Sequence, residues 1–456
     1  MDAAETEVNM RVIPGHKVIL ASCSKYFEAN IKRKMDGSMS GLSDTLKSSP
    51  EAAASIASVA ELSKAQGKLL LVERCESPAD LKAAEACLRT MYLQKSPFKG
   101  MPSSWDLEEF TSFLLKVARW ADLWQAECMS GSCVAALKHL TKATSFEARH
   151  LNKLLGGLPE FLISSSAPAR AQVMQVCSQW LLRKFKDVYE VVTVEKVRHA
   201  FCGLCAEAVS MWAKQDDLYG CENDVAIALA YWSNASGLLG QACSKEEVFK
   251  DLSLSLRVPQ LTTTFRALVL PQLPFFTEGL HKDLVIFNFL ASESKLGLGF
   301  KHVSCKWRSA ARTGKANYSF AKVGLLGSVK RWQYTWTVLP DDIRQARSSP
   351  KMLEPALYVK GFLLRASLAM DDNSLHVHVA PGSNGVIPAP LGVYAKMEIT
   401  AGSSTSSSNE VWVDGGFRSS FSLGFGGWMG DPIAHVQYML DSSGNLPIGL
   451  QVKDVR

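Results

Sequence analysis

The sequence predicts a multidomain chain with a mixed α/β front, an all-α middle and a mainly β, sandwich-like back. Three observations predict it. The length of 456 residues corresponds to about three domains of ordinary size. Residues 136–290 are dominated by helix formers, with apolar positions at helical spacing. From about residue 300, aromatic and β-branched residues alternate with polar ones between turns rich in Gly, Asn, Asp and Pro. A hydrophobic fraction of 47% against 21% charged residues fits packed cores rather than a mostly disordered chain.

Taken in order, PGHKVILASCSKYFEANI predicts a short helix after Gly15 and a Ser-led second helix carrying Tyr26 and Phe27. Residues 37–67 are rich in Ser, Gly and Ala and poor in large apolar side chains, which marks an inserted loop. KLLLV at 68–72 reads as a buried strand. In SPADLKAAEACLRTMY, Ser77 is placed to cap a helix, Pro78 occupies its first position, and Asp80 stands where a capping acid belongs. Its expected apolar stripe is Leu81, Ala84, Leu88, Met91 and Tyr92. FLLKVARWADLWQAECMSGSCVAAL predicts two further helices, with Leu114, Val117, Ala118, Leu123, Trp124 and Cys128 apolar and inward. In the back, YTWTV at 334–338, LHVHVA at 375–380 and VWV at 411–413 are strand-like. Phe362, Leu364, Leu368 and Met370 form an alternating run closed by an Asp371-Asp372-Asn373 turn.

GHKVILASCSKYFEAN, KLLLVERCESPADLKAAEACLRTMY and LLKVARWADLWQAECMSGSCVAAL, in that order, resemble the BTB/POZ domain over residues 11–137. His16, Tyr26, Phe27 and Tyr92 carry its structural signature. The resemblance implies a dimerising strand hairpin before the first helix. Only residues 1–10 precede the matched span, so a truncated start or a weakened homodimer face is expected. The insertion at 37–67 replaces a connection that is normally short. In members that bind a cullin-type scaffold, this neighbourhood carries an apolar-x-Glu pattern, matched here by Val59-Ala60-Glu61. DLYGCENDVAIALAYW at 217–232, with Leu218, Glu222, Val225, Leu229 and Trp232, resembles the BACK domain over residues 138–295. The late Arg257-x-Pro259-x-Leu261 segment belongs to the same resemblance. Glu222 is expected to receive backbone N–H groups near a helix start, while Trp232 packs inside. Residues 296–456 look similar to the MATH-like β-rich tail of plant-type BTB-BACK proteins.

Chemical signatures are sparse. Cys202 and Cys205 form a CxxC, but the flanking text reads as one amphipathic helix and no second CxxC occurs. Packing is therefore favoured over redox or zinc work. His376 and His378 share one side of a predicted strand, where an exposed polar face is the expectation; His435 is the only later histidine. Asp216-Asp217 and Asp371-Asp372 read as turns or helix starts. GLGFGGWMG lacks the ending of a phosphate loop, and FLISSSA lacks that of a nucleophile elbow. The expectation is a non-enzyme without catalytic residues, cofactor or metal.

Eleven cysteines, an odd number lying at or before Cys305, argue against a secreted disulfide scaffold. The start MDAAETEVNM lacks a signal-peptide pattern, and no uncharged apolar run reaches the ~18 residues of a membrane span. Cytoplasm and/or nucleus is the expected location. The net charge of +6 comes without a sustained basic stripe, which makes nucleic acid an improbable partner. The resemblance implies a substrate-recruiting adaptor of a cullin-type E3 ubiquitin-protein ligase complex, with a cullin-type scaffold and a protein target as partners. The alternative is a structural or regulatory BTB scaffold without a ubiquitin-ligase role.

Overall fold

The structure, a computed structural model, describes residues 13, 15–35, 75, 77–98, 105–163, 169–235, 244–279, 333–370, 374–388, 392–401, 404–407, 411–414, 419–424, 441–443 and 445–455. Helical regions are followed by a β-sheet region. The chain forms two compact units, Met1–Trp180 and Leu181–Arg456. The second contains helices and both sheets.

In the first unit, Ser24 separates α1 (Lys17–Cys23) from α2 (Lys25–Met35) and accepts the Phe27 N–H at 3.1 Å. α3 (Pro78–Leu93) starts as the sequence predicts, with Ser77 Oγ accepting from Asp80 N at 3.2 Å and Pro78 in the first turn. Its buried face is Ala83, Ala84, Cys87, Thr90 and Met91. Leu81, Leu88 and Tyr92 flank that face, so the expected stripe is rotated toward the small residues that permit close packing on α4. α4 (Leu107–Leu123) opens with a capping box between Asp106 and Glu109 and buries Leu114, Val117, Ala118, Trp120 and Ala121. Leu123 and Cys128 are exposed, against expectation. The helical period stops at α4's end, where Gln125 takes φ 47° and a 3₁₀ turn (Glu127–Met129) re-aims the chain. α5 (Ser130–Leu140), α6 (Ala148–Gly157) and the short α7 (Glu160–Ile163) follow. Phe27 packs on Trp124 (ring centroids 5.3 Å apart) and Trp124 on Trp120 (4.9 Å). The expected strand at 68–72 and the insertion at 37–67 lie outside the described residues, as do the Asp371-Asp372-Asn373 turn and residues 425–436.

α8 (Arg170–Phe185) contains the boundary between the units. The second unit continues with α9 (Val188–Thr193), α10 (Glu195–Cys202), α11 (Ala206–Ala213), α12 (Glu222–Ala235), α13 (Lys245–Ser255), α14 (Thr263–Leu268) and α15 (Pro274–Gly279). α12 is buried on nearly all sides: Val225 through Ala230 are in the core. Such a helix is read by its apolar run rather than by amphipathic spacing. Trp212 and Trp232 are fully buried, and each indole N–H finds a carbonyl at 2.8 Å, Phe185 and Leu204 respectively. Those bonds let a large aromatic fill the core without an orphaned donor.

The strands are β1 (Gln333–Val338), β2 (Lys351–Val359), β3 (Phe362–Met370), β4 (Ser374–Pro381), β5 (Gly392–Ala401), β6 (Ser404–Ser407), β7 (Val411–Asp414), β8 (Ser419–Gly424) and β9 (Leu446–Val455). They form two antiparallel sheets. One has the order β1-β9-β5, with β6 and β7 sharing the far side of β5; the other runs β2-β3-β4-β8. A helix, α16 (Pro340–Ser348), lies against β2 and β3 with Ile343 and Ala346 buried. β3 accordingly hides residues of both parities, Phe362, Leu364 and Leu368 on one side and Leu363 and Ser367 on the other. β2 and β3 are joined by Lys360-Gly361 alone, both at positive φ (47° and 85°), the backbone of a tight two-residue hairpin.

Gly361 has a second constraint: a Cβ there would stand 2.7 Å from Asn223 Cβ and 2.7 Å from the Phe265 ring. Gly361→Val is expected to lower the stability of the second unit by about 2–4 kcal/mol, through strain at positive φ plus overpacking. Calorimetric melting measures this, and an unchanged melting temperature would contradict the hairpin geometry.

Candidate functional site

The feature with most to say about function is a buried polar seam within the second unit, where α9, α12 and α14 meet the β2–β3 hairpin. It starts from three consecutive polar residues, Glu222, Asn223 and Asp224, all buried in the first turn of α12. A helix start leaves backbone N–H groups without intrahelical partners, so polar side chains belong there. Burial requires that each find its own partner.

Glu222 Oε1 accepts the backbone N–H of Arg257 at 2.8 Å. The Arg257 guanidinium is 1% exposed and pairs with Asp216, so Asp216 is an ionic partner of a buried cation as well as part of a turn. Asn223 joins two elements. Its Nδ2 donates to the Lys360 carbonyl at 2.8 Å and to Thr262 Oγ1 at 3.0 Å, while its Oδ1 accepts from Thr262 N at 3.1 Å. Thr262 in turn caps α14. Asp224 Oδ1 accepts the Tyr358 hydroxyl at 2.7 Å, and Oδ2 accepts the Cys221 N–H at 3.3 Å.

From Tyr358 the network continues. The Tyr334 hydroxyl donates to the Tyr358 carbonyl at 2.8 Å, accepts the Tyr358 N–H at 3.2 Å, and lies 3.1 Å from the Tyr189 hydroxyl. Tyr189 stands at the start of α9, which Asp187 caps through the N–H groups of Tyr189 and Glu190. A second anchor lies at the loop after β4. Asn384 Nδ2 donates to the Tyr231 hydroxyl of α12, and its Oδ1 accepts from Val386 N and Ile387 N. The Arg198 guanidinium covers the Tyr231 ring at 4.8 Å.

Burial sets the electrostatics. It pushes the Asp224 carboxyl above the usual carboxylate range, opposed by the bonds from Tyr358 and Cys221. Burial also raises the Tyr358, Tyr334 and Tyr189 hydroxyls and the Cys221 thiol. Both Asp224 oxygens are engaged by protein donors, so this acid brackets the start of α12 to the end of β2. Among the described residues, no group of three or more His, Cys, Asp or Glu side chains is placed to hold a metal ion. No described helix is long and apolar enough to cross a membrane.

The residues singled out from sequence fall into separate places. His16 stands at the N-cap position of α1 without a side-chain capping bond, and its backbone N–H donates to the Tyr92 hydroxyl, with the two rings 5.9 Å apart. Tyr26 lies edge-on to Phe27 at 5.5 Å, and Phe27 is in the core. Glu222 and Trp232 stand at opposite ends of α12. Val59, Glu61 and His435 lie outside the described residues. Cys202 ends α10 and Cys205 precedes α11, so the CxxC spans a helix junction instead of one helix. Burial pushes both thiols up to about 11, opposite to the depression a reactive thiolate needs. His376 and His378 stack at 5.8 Å on β4 and are half-buried rather than exposed.

Sequence reasoning missed Asn223, Asp224, Tyr358, Tyr334 and Tyr189. Two signals point to them in retrospect: a run of polar residues immediately before the apolar run Val225–Ala230 of one helix, and Lys-Gly between two strand-like runs.

Tyr358→Phe removes the donor to a buried carboxylate and is expected to cost about 1–3 kcal/mol in urea unfolding; a change below about 0.5 kcal/mol would contradict the bond. Asp224→Asn tests the acid itself. With the folded pKa raised, the folded state binds the extra proton between the unfolded and folded pKa values, so this carboxyl's contribution to stability falls as pH rises through that window. The stability of wild type relative to Asp224→Asn should therefore decline from about pH 4 upward. A gap that widens in favour of wild type over the same range would overturn the assignment. No family profile, curated protein or solved structure matches this chain.

Proposed function

We propose that the chain is a non-catalytic, substrate-recruiting adaptor of a cullin-type E3 ubiquitin-protein ligase, acting in the cytoplasm and/or nucleus. In this reading the BTB/POZ-like front engages the cullin-type scaffold, the BACK-like helices space the assembly, and the MATH-like, sandwich-like back presents a protein target. The observation that supports it is the seam at Asn223 and Asp224, which ties the strands to helices of the same unit. An adaptor accelerates transfer by holding its target at high effective concentration near the transferring enzyme. A target-holding region hydrogen-bonded to its spacer keeps that concentration high, whereas a loose tether dilutes it.

The test is direct binding between the purified full-length chain and a purified cullin. A saturable complex is expected, and the double substitution Val59→Ala with Glu61→Ala is expected to weaken it by about tenfold or more. Absence of any saturable complex would sink the ligase reading and leave the non-ligase BTB scaffold. Unchanged binding by the double variant would reject that contact alone.

A further inference from the structure

In the first unit, residues 23–25 run beside residues 124–128. Ser24 Oγ donates to the Trp124 carbonyl, Lys25 Nζ pairs with Glu127 Oε1 at 2.7 Å, and Cys128 Sγ lies 3.8 Å from the Cys23 carbonyl. These contacts, made by three successive residues, hold the two backbones side by side. Cys23 and Cys128 are both free thiols at this crossing, Cys23 half-buried with its Sγ donating to the Met91 carbonyl at 3.6 Å, and Cys128 exposed. They are close enough that Cys23, after burial, helps hold the Cys128 thiol above its usual range. Three further thiols of this unit, Cys87, Cys133 and Cys177, are buried. Cys87 Sγ donates to the Val117 carbonyl at 3.4 Å, and burial pushes Cys133 up to about 12.

We propose that Cys23 and Cys128 form a modification site at which a low-molecular-weight disulfide of the glutathione type oxidises the pair to an intramolecular disulfide. Solvent reaches Cys128, unlike the less exposed Cys202 and Cys205, so the minor thiolate fraction left to a thiol held above its usual range attacks one sulfur of glutathione disulfide, slowly. The reagent's S–S bond breaks, a mixed disulfide forms on Cys128, and the departing glutathione thiolate takes up a proton equivalent to the one Cys128 gave up. Cys23, already adjacent, then attacks the Cys128 sulfur as thiolate. The second glutathione leaves and is protonated in the same way. Two protein thiols are oxidised, one glutathione disulfide is reduced to two thiols, and atoms and electrons balance. The product pins the α1–α2 junction to the turn after α4. Cys87, Cys133 and Cys177 are excluded as first attackers because the reagent cannot reach them.

The experiment equilibrates the full-length chain in glutathione buffers of increasing oxidised-to-reduced ratio, blocks residual thiols by alkylation, and maps cysteines by peptide mass spectrometry. The expected result is a Cys23–Cys128 linked peptide that grows with the ratio and disappears on reduction. Cys23→Ser should stop at glutathione on Cys128, and Cys128→Ser should give neither product at either position. A wild-type chain that keeps glutathione on Cys128, links either cysteine elsewhere, forms Cys128-linked dimers, or leaves both thiols unchanged would overturn the proposal. The wild-type map decides the matter even if a serine variant fails to fold.

Discussion

One carboxamide clamps a helix start to a hairpin tip inside the second unit. Asn223 is 1% exposed and makes three hydrogen bonds, two to Thr262 at the start of α14 and one to the Lys360 carbonyl at the tip of the β2–β3 hairpin. An amide that is both donor and acceptor can clamp a helix cap and a hairpin tip at once. A buried partner left without its bond costs more than the bond itself contributes, so the clamp works chiefly by penalising separation. The tight hairpin makes it reachable: Lys360 and Gly361 at positive φ turn the chain in two residues, and the missing Cβ of Gly361 lets Asn223 and the Phe265 ring approach.

Around that clamp the polar and apolar parts agree. Phe265 packs edge-on against Phe362 at 5.8 Å, next to the Asn223 bonds, so water is excluded where the hydrogen bonds need a low dielectric. Asp224, Tyr358, Tyr334 and Tyr189 extend the same boundary as a chain in which each hydroxyl satisfies a buried neighbour. Half-satisfied, such a network would be worse than an apolar interface. Filled, it specifies one docking geometry.

Local signals were legible in the sequence and distant ones were not. Ser77, Pro78 and the capping position of Asp80 could be read because a helix start depends on residues within one turn. The strands around 334–338, 375–380 and 411–413 could be read from alternation, which matches β1, β4 and β7. Glu222 and Trp232 stood out as a polar start and an aromatic end of an apolar run. The roles of Asn223 and Asp224 could not be read, since their decisive partners lie 137 and 134 residues away. Nothing local distinguishes a side chain that meets a hairpin tip from one that meets water. The inward positions assigned to Leu123 and Cys128 failed for separate reasons: Leu123, the last residue of α4, lies off the face of Leu114, Val117, Ala118 and Ala121, whereas Cys128 lies beyond the turn at Gln125, across which the helical phase does not carry.

The central claim is that helices 181–279 and the two sheets are one cooperative unit joined at the Asn223–Asp224 seam. Native-state hydrogen exchange at increasing sub-denaturing urea tests it most directly. The account predicts that the amides of α12 and those of the β2–β3 hairpin are exposed by the same opening, with one free energy and one urea dependence. Exchange of the β2–β3 amides through a separate, lower-energy opening that leaves α12 fully protected would contradict it.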